Sequence, residues 1–135
     1  MKLNWFPIMT ACLLTQSVMA ETPTRPLTCP RVSAVSAALD NMELKQQNKD
    51  WYGKLTNASL GTPYQWAIYT MPVPADNKKT AARLIKKMVS TSVYYGGPEN
   101  SEDIWGCVYF SNEIFITIAI TPSQDWDSLP DFKRF

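Results

Sequence analysis

The chain has 135 residues, 45% of them hydrophobic and 19% charged, with thirteen basic against twelve acidic side chains. That is a globular composition, not a disordered one, and its balance leaves no global field to gather nucleic acid or an anionic membrane. Histidine is absent, which excludes a Ser-His-Asp triad, a Cys-His pair, histidine-ligated zinc and the commonest general base at neutral pH.

Residues 1–20 read as a secretory signal peptide. Lys2 supplies the charged start, an apolar stretch runs through Leu14, and Val18-Met19-Ala20 gives a small-residue ending before Glu21. Cleavage after Ala20 is expected to release about 115 residues to the periplasm or the medium, and loss of Lys2 leaves twelve basic against twelve acidic groups. Two rival readings of the leader are weaker. Met9-Thr10-Ala11-Cys12 is a poor lipoprotein box for lipidation at Cys12, because Met stands where Leu is usual. An uncleaved anchor would be interrupted by Pro7, Thr15, Gln16 and Ser17. No stretch after residue 20 approaches the roughly 18–20 apolar residues that span a bilayer. Only Cys29 and Cys107 remain after cleavage, and two cysteines in an exported domain are expected to pair.

Residues 21–28 carry two prolines and no periodicity, so they read as an extended lead-in to a single domain over 29–121. Pro30 suits the first turn of a helix. Val32, Val35, Leu39 and Met42 recur at spacings of three and four, predicting a helix from Pro30 to Gln46. Asp50 to Thr56 is a short aromatic-rich strand, and Asn57-Ala58-Ser59-Leu60-Gly61 is turn material. Its first three residues match a glycosylation sequon, which matters only in a eukaryotic secretory pathway. Tyr64 to Met71 is the stronger strand, ended by Pro72-Val73-Pro74. A second helix follows, capped by Asp76 or Asn77 and running to about Thr91, with Ala81, Leu84, Ile85 and Met88 facing the core. Tyr95-Gly96-Gly97-Pro98 is a loop leading into the acidic segment from Glu99 to Asp103. Gly96-Gly97 is no phosphate loop, since it lacks the Lys-Ser ending and opens no helix.

Ile104 to Phe110 and Glu113 to Thr121 are two strands joined through Ser111-Asn112. This register sets Phe110 against Glu113, Tyr109 against Ile114, Cys107 against Ile116 and Trp105 against Ile118. Trp105, Cys107 and Tyr109 would then share a core face with Ile114, Ile116 and Ile118. Ile104, Val108, Phe115, Thr117 and Ala119 would lie on the other face, with Val108 opposite Phe115. The element order α-β-β-α-β-β predicts an α+β fold, a four-stranded mainly antiparallel sheet with both helices on one face. One disulfide would join Cys29, at the head of the first helix, to Cys107. Closing a loop of about 79 residues is worth roughly 4–5 kcal/mol on a chain-entropy basis.

Such a sheet leaves one face open, and an apolar patch there marks a binding or dimer surface. Ile104, Val108, Phe115 and Thr117 are the candidate partner-binding residues. Alternatively the C-terminal tail, residues 122–135, folds back with Trp126, Leu129 and Phe132 and covers them. Lys79, Arg83, Lys86 and Lys87 form a basic stripe on the second helix, suited to an anionic glycan, a lipid surface or an acidic partner. Glu99, Glu102 and Asp103 are the one group of acids from which a carboxylate-based hydrolase could be built, if they lined a cleft. Asp125, Asp127 and Asp131 lack the glycine and terminal glutamate of a calcium loop. No cofactor is expected.

Cys29-Pro30 before an amphipathic helix, mid-chain tryptophans and Cys107-Val108-Tyr109 in a late hairpin together resemble a loose group of small, mostly uncharacterised exported domains of gram-negative bacteria. The resemblance implies fold and export, favours a disulfide-linked binding domain, and carries no catalytic residue. The expectation is a non-enzymatic protein-binding or accessory domain acting through an open sheet face, with a protein partner or self-association. An envelope-associated domain using the basic helix is the alternative, and a small carboxylate hydrolase the third.

Overall fold

The computed structural model describes residues 26, 28–94, 98–112 and 114–130. The leader, most of the lead-in, Gly96-Gly97, Asp131 and Phe132 lie outside them. The first helix, α1, spans only Val32–Ala38 and tightens into a 3-10 turn over Leu39–Asn41. From Met42 the backbone is extended, and Glu43–Gln47 forms strand β1 instead of the last turns of a helix. Met42 fits both patterns: it closes the helical stripe, and it also begins an alternation with Leu44, whose neighbours Glu43 and Lys45 are polar. Asn48, at φ 58°, then helps make a two-residue turn into β2, Asp50–Ala58, with Gln47 opposite Asp50. Gly53 allows this hairpin to pack closely, since a Cβ there would meet the Met42 sulfur at 2.5 Å.

The sheet is wider than four strands. After β3 (Trp66–Thr70) and β4 (Val73–Pro74) come helix α2 (Lys78–Ser90), β5 (Val93–Tyr94), β6 (Glu99–Ser101), β7 (Ile104–Ser111) and β8 (Ile114–Thr121). Every pairing is antiparallel, in the order β1-β2-β3-β8-β7-β5. Short β4 continues β3 along β2, and short β6 shares with β5 the outer edge of β7. The fold is α+β, but six strand positions replace the expected four. The extra strands are the mistaken helix end and three pieces of two or three residues, too short for any periodicity to show.

Both helices pack on one face. Val35 and Leu39 from the first helical segment, with Ala81, Ile85 and Val89 from α2, meet Trp66, Ile68, Cys107, Tyr109 and Ala119. Asn77 caps α2, accepting from the Thr80 N–H at 2.9 Å. At the other end the hydroxyls of Ser90, Thr91 and Ser92 donate to the last carbonyls, at Lys87, Met88 and Val89. Cys29 is disulfide-bonded to Cys107, with Cα atoms 5.7 Å apart. Tyr109, two residues along the same face of β7, donates its hydroxyl proton to the Pro30 carbonyl. The chain entering α1 is thus held to β7 at two adjacent points.

The hairpin register differs from the expected one, and a bulge is the reason. Ser111 pairs with Ile114 and Phe110 with Phe115, but beyond them Tyr109 pairs with Thr117, Cys107 with Ala119 and Trp105 with Thr121. Ile116 is the extra residue, left between two pairs of β8. A turn one residue later than expected would have kept the faces as read. The added bulge residue exchanges them. Thr117, Ala119 and Thr121 therefore share the helix face with Cys107 and Tyr109, and Ile118 and Ile120 move to the opposite face with Val108. Val108 opposes Ile118, not Phe115.

Removing both cysteines as Cys29→Ala/Cys107→Ala should lower stability by about 4 kcal/mol in urea denaturation. A loss below 1 kcal/mol would show that the Tyr109–Pro30 contact and helix packing hold the N-terminal segment without the covalent link.

Candidate functional site

With Ile118 and Ile120 turned away from the helices, the second face of the sheet has a core of its own. Tyr52, Ala67, Tyr69, Ile118 and Ile120 form it, and Met71, Ile104, Val108, Trp126 and Leu129 pack against it. The last two belong to the C-terminal tail. Two of the three tail residues expected to fold back, Trp126 and Leu129, do so.

Over its described residues, 122–130, the tail is held by side chains, with no strand ladder. The β2 strand has a bulge between Leu55 and Ala58, where Asn57 sits at φ 56°, and its spare N–H donates to the Ser123 hydroxyl at 2.9 Å. Tyr69 donates its phenolic proton to the Gln124 carbonyl at 2.8 Å and accepts from the Trp126 N–H at 2.8 Å. The Trp126 indole stacks on the Tyr69 ring with centroids 5.6 Å apart and planes 27° from parallel. Lys54 donates to the Trp126 carbonyl at 2.8 Å and forms an ion pair with Asp125. Two side chains of the sheet thus engage three consecutive tail residues through a carboxylate, two carbonyls, an amide and a ring.

Lys54 occupies this face because alternation along β2 places it beside Tyr52, while Trp51, Gly53 and Leu55 face the helices. Its side chain is 9% exposed, against 71% for Asp125. A cation so covered needs partners. The Asp125 carboxylate holds the Lys54 ammonium above the usual lysine range, while burial pulls the other way. Burial pushes the Tyr69 phenol up, partly offset by the bond from the Trp126 amide.

The described part of the tail, residues 122–130, does not close the whole face. Along β7, Ile104, Val108 and Phe110 stay half-buried, and Val93, opposite Phe110 on β5, is 50% exposed. Of the four residues expected on an open face, Ile104 and Val108 are brought together there. Thr117 is removed to the helix face, fully buried, its hydroxyl donating to the Tyr69 carbonyl at 2.7 Å. Phe115 is paired with Phe110 in the register. Val93 and Phe110, missed in the sequence, complete the half-open row. Ile114, 64% exposed, marks the same end of the β7–β8 hairpin.

The other candidates are dispersed. On α2, Lys79, Arg83 and Lys87 are exposed, but Lys86 is paired with Asp40 at 2.7 Å, tying α2 to the 3-10 turn after α1. Glu102 and Asp103, at φ 50° and 64°, are the two central residues of the turn joining β6 to β7, and Glu99 is exposed on β6. That is a hairpin geometry. Asp127 is exposed, and among the described residues no group of three potential ligands is placed to hold a metal ion. An open groove of about 390 Å³ lies between α1 and the loop after β2, lined by Ala34, Ala38, Leu55, Ala58 and Leu60 with Asn41 and Asn57. No helix among the described residues is long and apolar enough to cross a membrane.

Two measurements check the tail contacts. Asp125→Ala leaves the Lys54 ammonium with a single carbonyl and should cost about 1–3 kcal/mol in urea denaturation. Lys54→Met, which removes the charge and keeps the length, should cost less, and the reverse order would deny the ion pair its holding role. Because the folded Lys54 and Tyr69 values are both raised, their contribution is complete below their ordinary ranges and is lost as pH rises through the folded values. The urea midpoint should show no loss from these two groups between pH 6 and 9 and should fall above about pH 10, less steeply in Lys54→Met. Compared with known proteins, the chain matches no family model, no curated protein and no solved structure.

Proposed function

We propose that this is an exported, non-enzymatic binding domain whose second sheet face receives another protein, as an accessory factor, an inhibitor or a host-directed secreted protein. The carrying observation is the half-open apolar row beside the tail, Ile104, Val108 and Phe110 with the exposed Val93. Apolar side chains in a row on a sheet face, bordered by a polar strap, make a surface that gains by being covered. The scaffold under it is rigid where binding needs it to be: the disulfide and the helix-face core fix β7, so little ordering cost falls on association. The Cys29–Cys107 bond also supports export, since such bonds persist in oxidising compartments. The expected cleavage after Ala20 belongs to the same reading.

A second reading uses α2. Lys79, Arg83 and Lys87 remain exposed on one helix, a cationic surface for an anionic glycan or lipid. The two readings differ in salt response, because charge-driven binding weakens with ionic strength and apolar burial does not.

Capture from envelope extracts on the wild-type domain and on a folded Val93→Glu/Val108→Glu variant separates them. A protein retained by the first and lost by the second, at 50 mM and 500 mM salt alike, is the expected result. Retention by both variants that disappears at 500 mM salt would move the working surface to α2, and salt-independent retention by both would remove the sheet face as that surface.

A further inference from the structure

The tail is an unusual cover for a sheet. Its described residues contribute no strand, and apart from the Asn57–Ser123 bond the polar contacts that position them converge on two side chains, Lys54 and Tyr69. Those two read a short linear pattern: a carboxylate at one position, an indole at the next, and the main-chain groups around them. This is how peptide-binding surfaces work, with an anchor ring, one charge and a few backbone bonds. Asp125 remains largely exposed and Trp126 is only partly buried, so the segment is bound from one side, as a ligand is, and can leave without breaking a ladder.

We propose that residues 123–126 are an internal stand-in, and that the Lys54–Tyr69 shelf recognises an extended acidic–aromatic segment, an Asp followed by a large ring, on a partner protein. The inference rests on the sheet-face reading and names what that face accepts. The shelf selects such an occupant: when the tail leaves, water takes over the bonds of Lys54 and Tyr69, and any segment that covers the pair again must return a carboxylate and carbonyls to the ammonium. The row at Ile104, Val108 and Phe110 gives a partner something the tail does not use fully. A segment that matches the tail on the shelf and continues across that row buries more apolar surface than the tail does. It needs that margin, because a tethered tail competes at an effective concentration in the millimolar range.

The test uses a labelled nonapeptide of the sequence of residues 122–130, with versions carrying alanine in place of its first Asp or its Trp. The protein is the mature chain as wild type and as Asp125→Ala/Trp126→Ala, in which the tail is weakened and the shelf kept. The double variant should bind the parent peptide at least tenfold more tightly than wild type does. Each alanine peptide should lose at least tenfold, and adding Lys54→Met to the double variant should abolish the preference for the Asp. Wild-type protein labelled at its indole nitrogens gives a readout that needs no destabilised variant: millimolar peptide should displace the tail and shift the Trp126 indole signal. A peptide that neither binds the folded double variant in preference to its alanine versions nor moves that signal overturns the proposal. Sedimentation showing a dimer that the parent peptide dissociates would also overturn it, by making a second copy the occupant. If the peptide fails while Val93→Glu/Val108→Glu still abolishes capture, the sheet face stands and only its proposed ligand falls.

Discussion

The bulge at Ile116 is the constraint on which both faces of the sheet depend. In the strand Ile114-Phe115-Ile116-Thr117-Ile118-Ala119-Ile120 all four isoleucines share one parity, so the choice lies between turning all of them to one face and dividing them between two. One extra residue settles the choice. Before it, Ile116 turns towards the helices and is buried with Tyr109 and Cys107. Beyond it, Thr117, Ala119 and Thr121 face the helices, and Ile118 and Ile120 face the other way. The small residues suit a face already crowded by Trp66, Tyr109 and two helices. The two isoleucines create an apolar face that must be covered by something else.

The two coverings are built by different physics. The helix face is closed by burial and by covalent and hydrogen-bonded attachment of Cys29 and Pro30 to β7. Its buried threonine hydroxyls are engaged with neighbouring segments of the sheet: Thr70 accepts from Gly53, while Thr117 donates to Tyr69 and Thr121 to Gln65. Among the described residues no buried side-chain nitrogen or oxygen lacks a partner. Opening such a face would expose many apolar groups and break several bonds at once, so it opens only with global unfolding. The tail face is closed by a few residues whose bonds are local to one chain segment, and segments of that kind open at much lower free energy than the core.

Much of this was legible in the sequence, and the failures have physical causes. The α2 helix shows its cap at Asn77 and its stripe at Ala81 and Ile85 because a thirteen-residue amphipathic pattern repeats enough to be unambiguous. The Cys29–Cys107 pairing follows from counting. The register of the last hairpin does not, because a bulge adds a residue without any compositional mark, and the isoleucines of β8 alternate as if the strand were unbroken. The helix that becomes β1 failed at Met42, which satisfies two periods at once. The tail shelf left one trace that alternation could have exposed. Lys54 shares its face with Tyr52 in a strand too aromatic to be solvated, and an inward cation there requires an acid from elsewhere in the chain. Asp125, beside a tryptophan in an otherwise unplaced tail, was the available one. Ser123 had no such trace, since its role depends on the bulge at Asn57.

The asymmetry between the two faces also explains where the polar groups lie. A cover made only of Trp126 and Leu129 would hold by apolar contact, which is non-directional and would let the tail slide along the sheet. Lys54 and Tyr69 remove that freedom by bonding to the Asp125 carboxylate, the Gln124 and Trp126 carbonyls and the Trp126 amide, while Ser123 is fixed at the bulge. The result is a tail in one register with modest total attachment, since each bond exchanges for one to water when the tail leaves. Directional bonds therefore set its position, and the limited apolar burial sets its strength. That combination leaves the second face closed in one defined way and still open to exchange, on a scaffold whose other face is covalently committed.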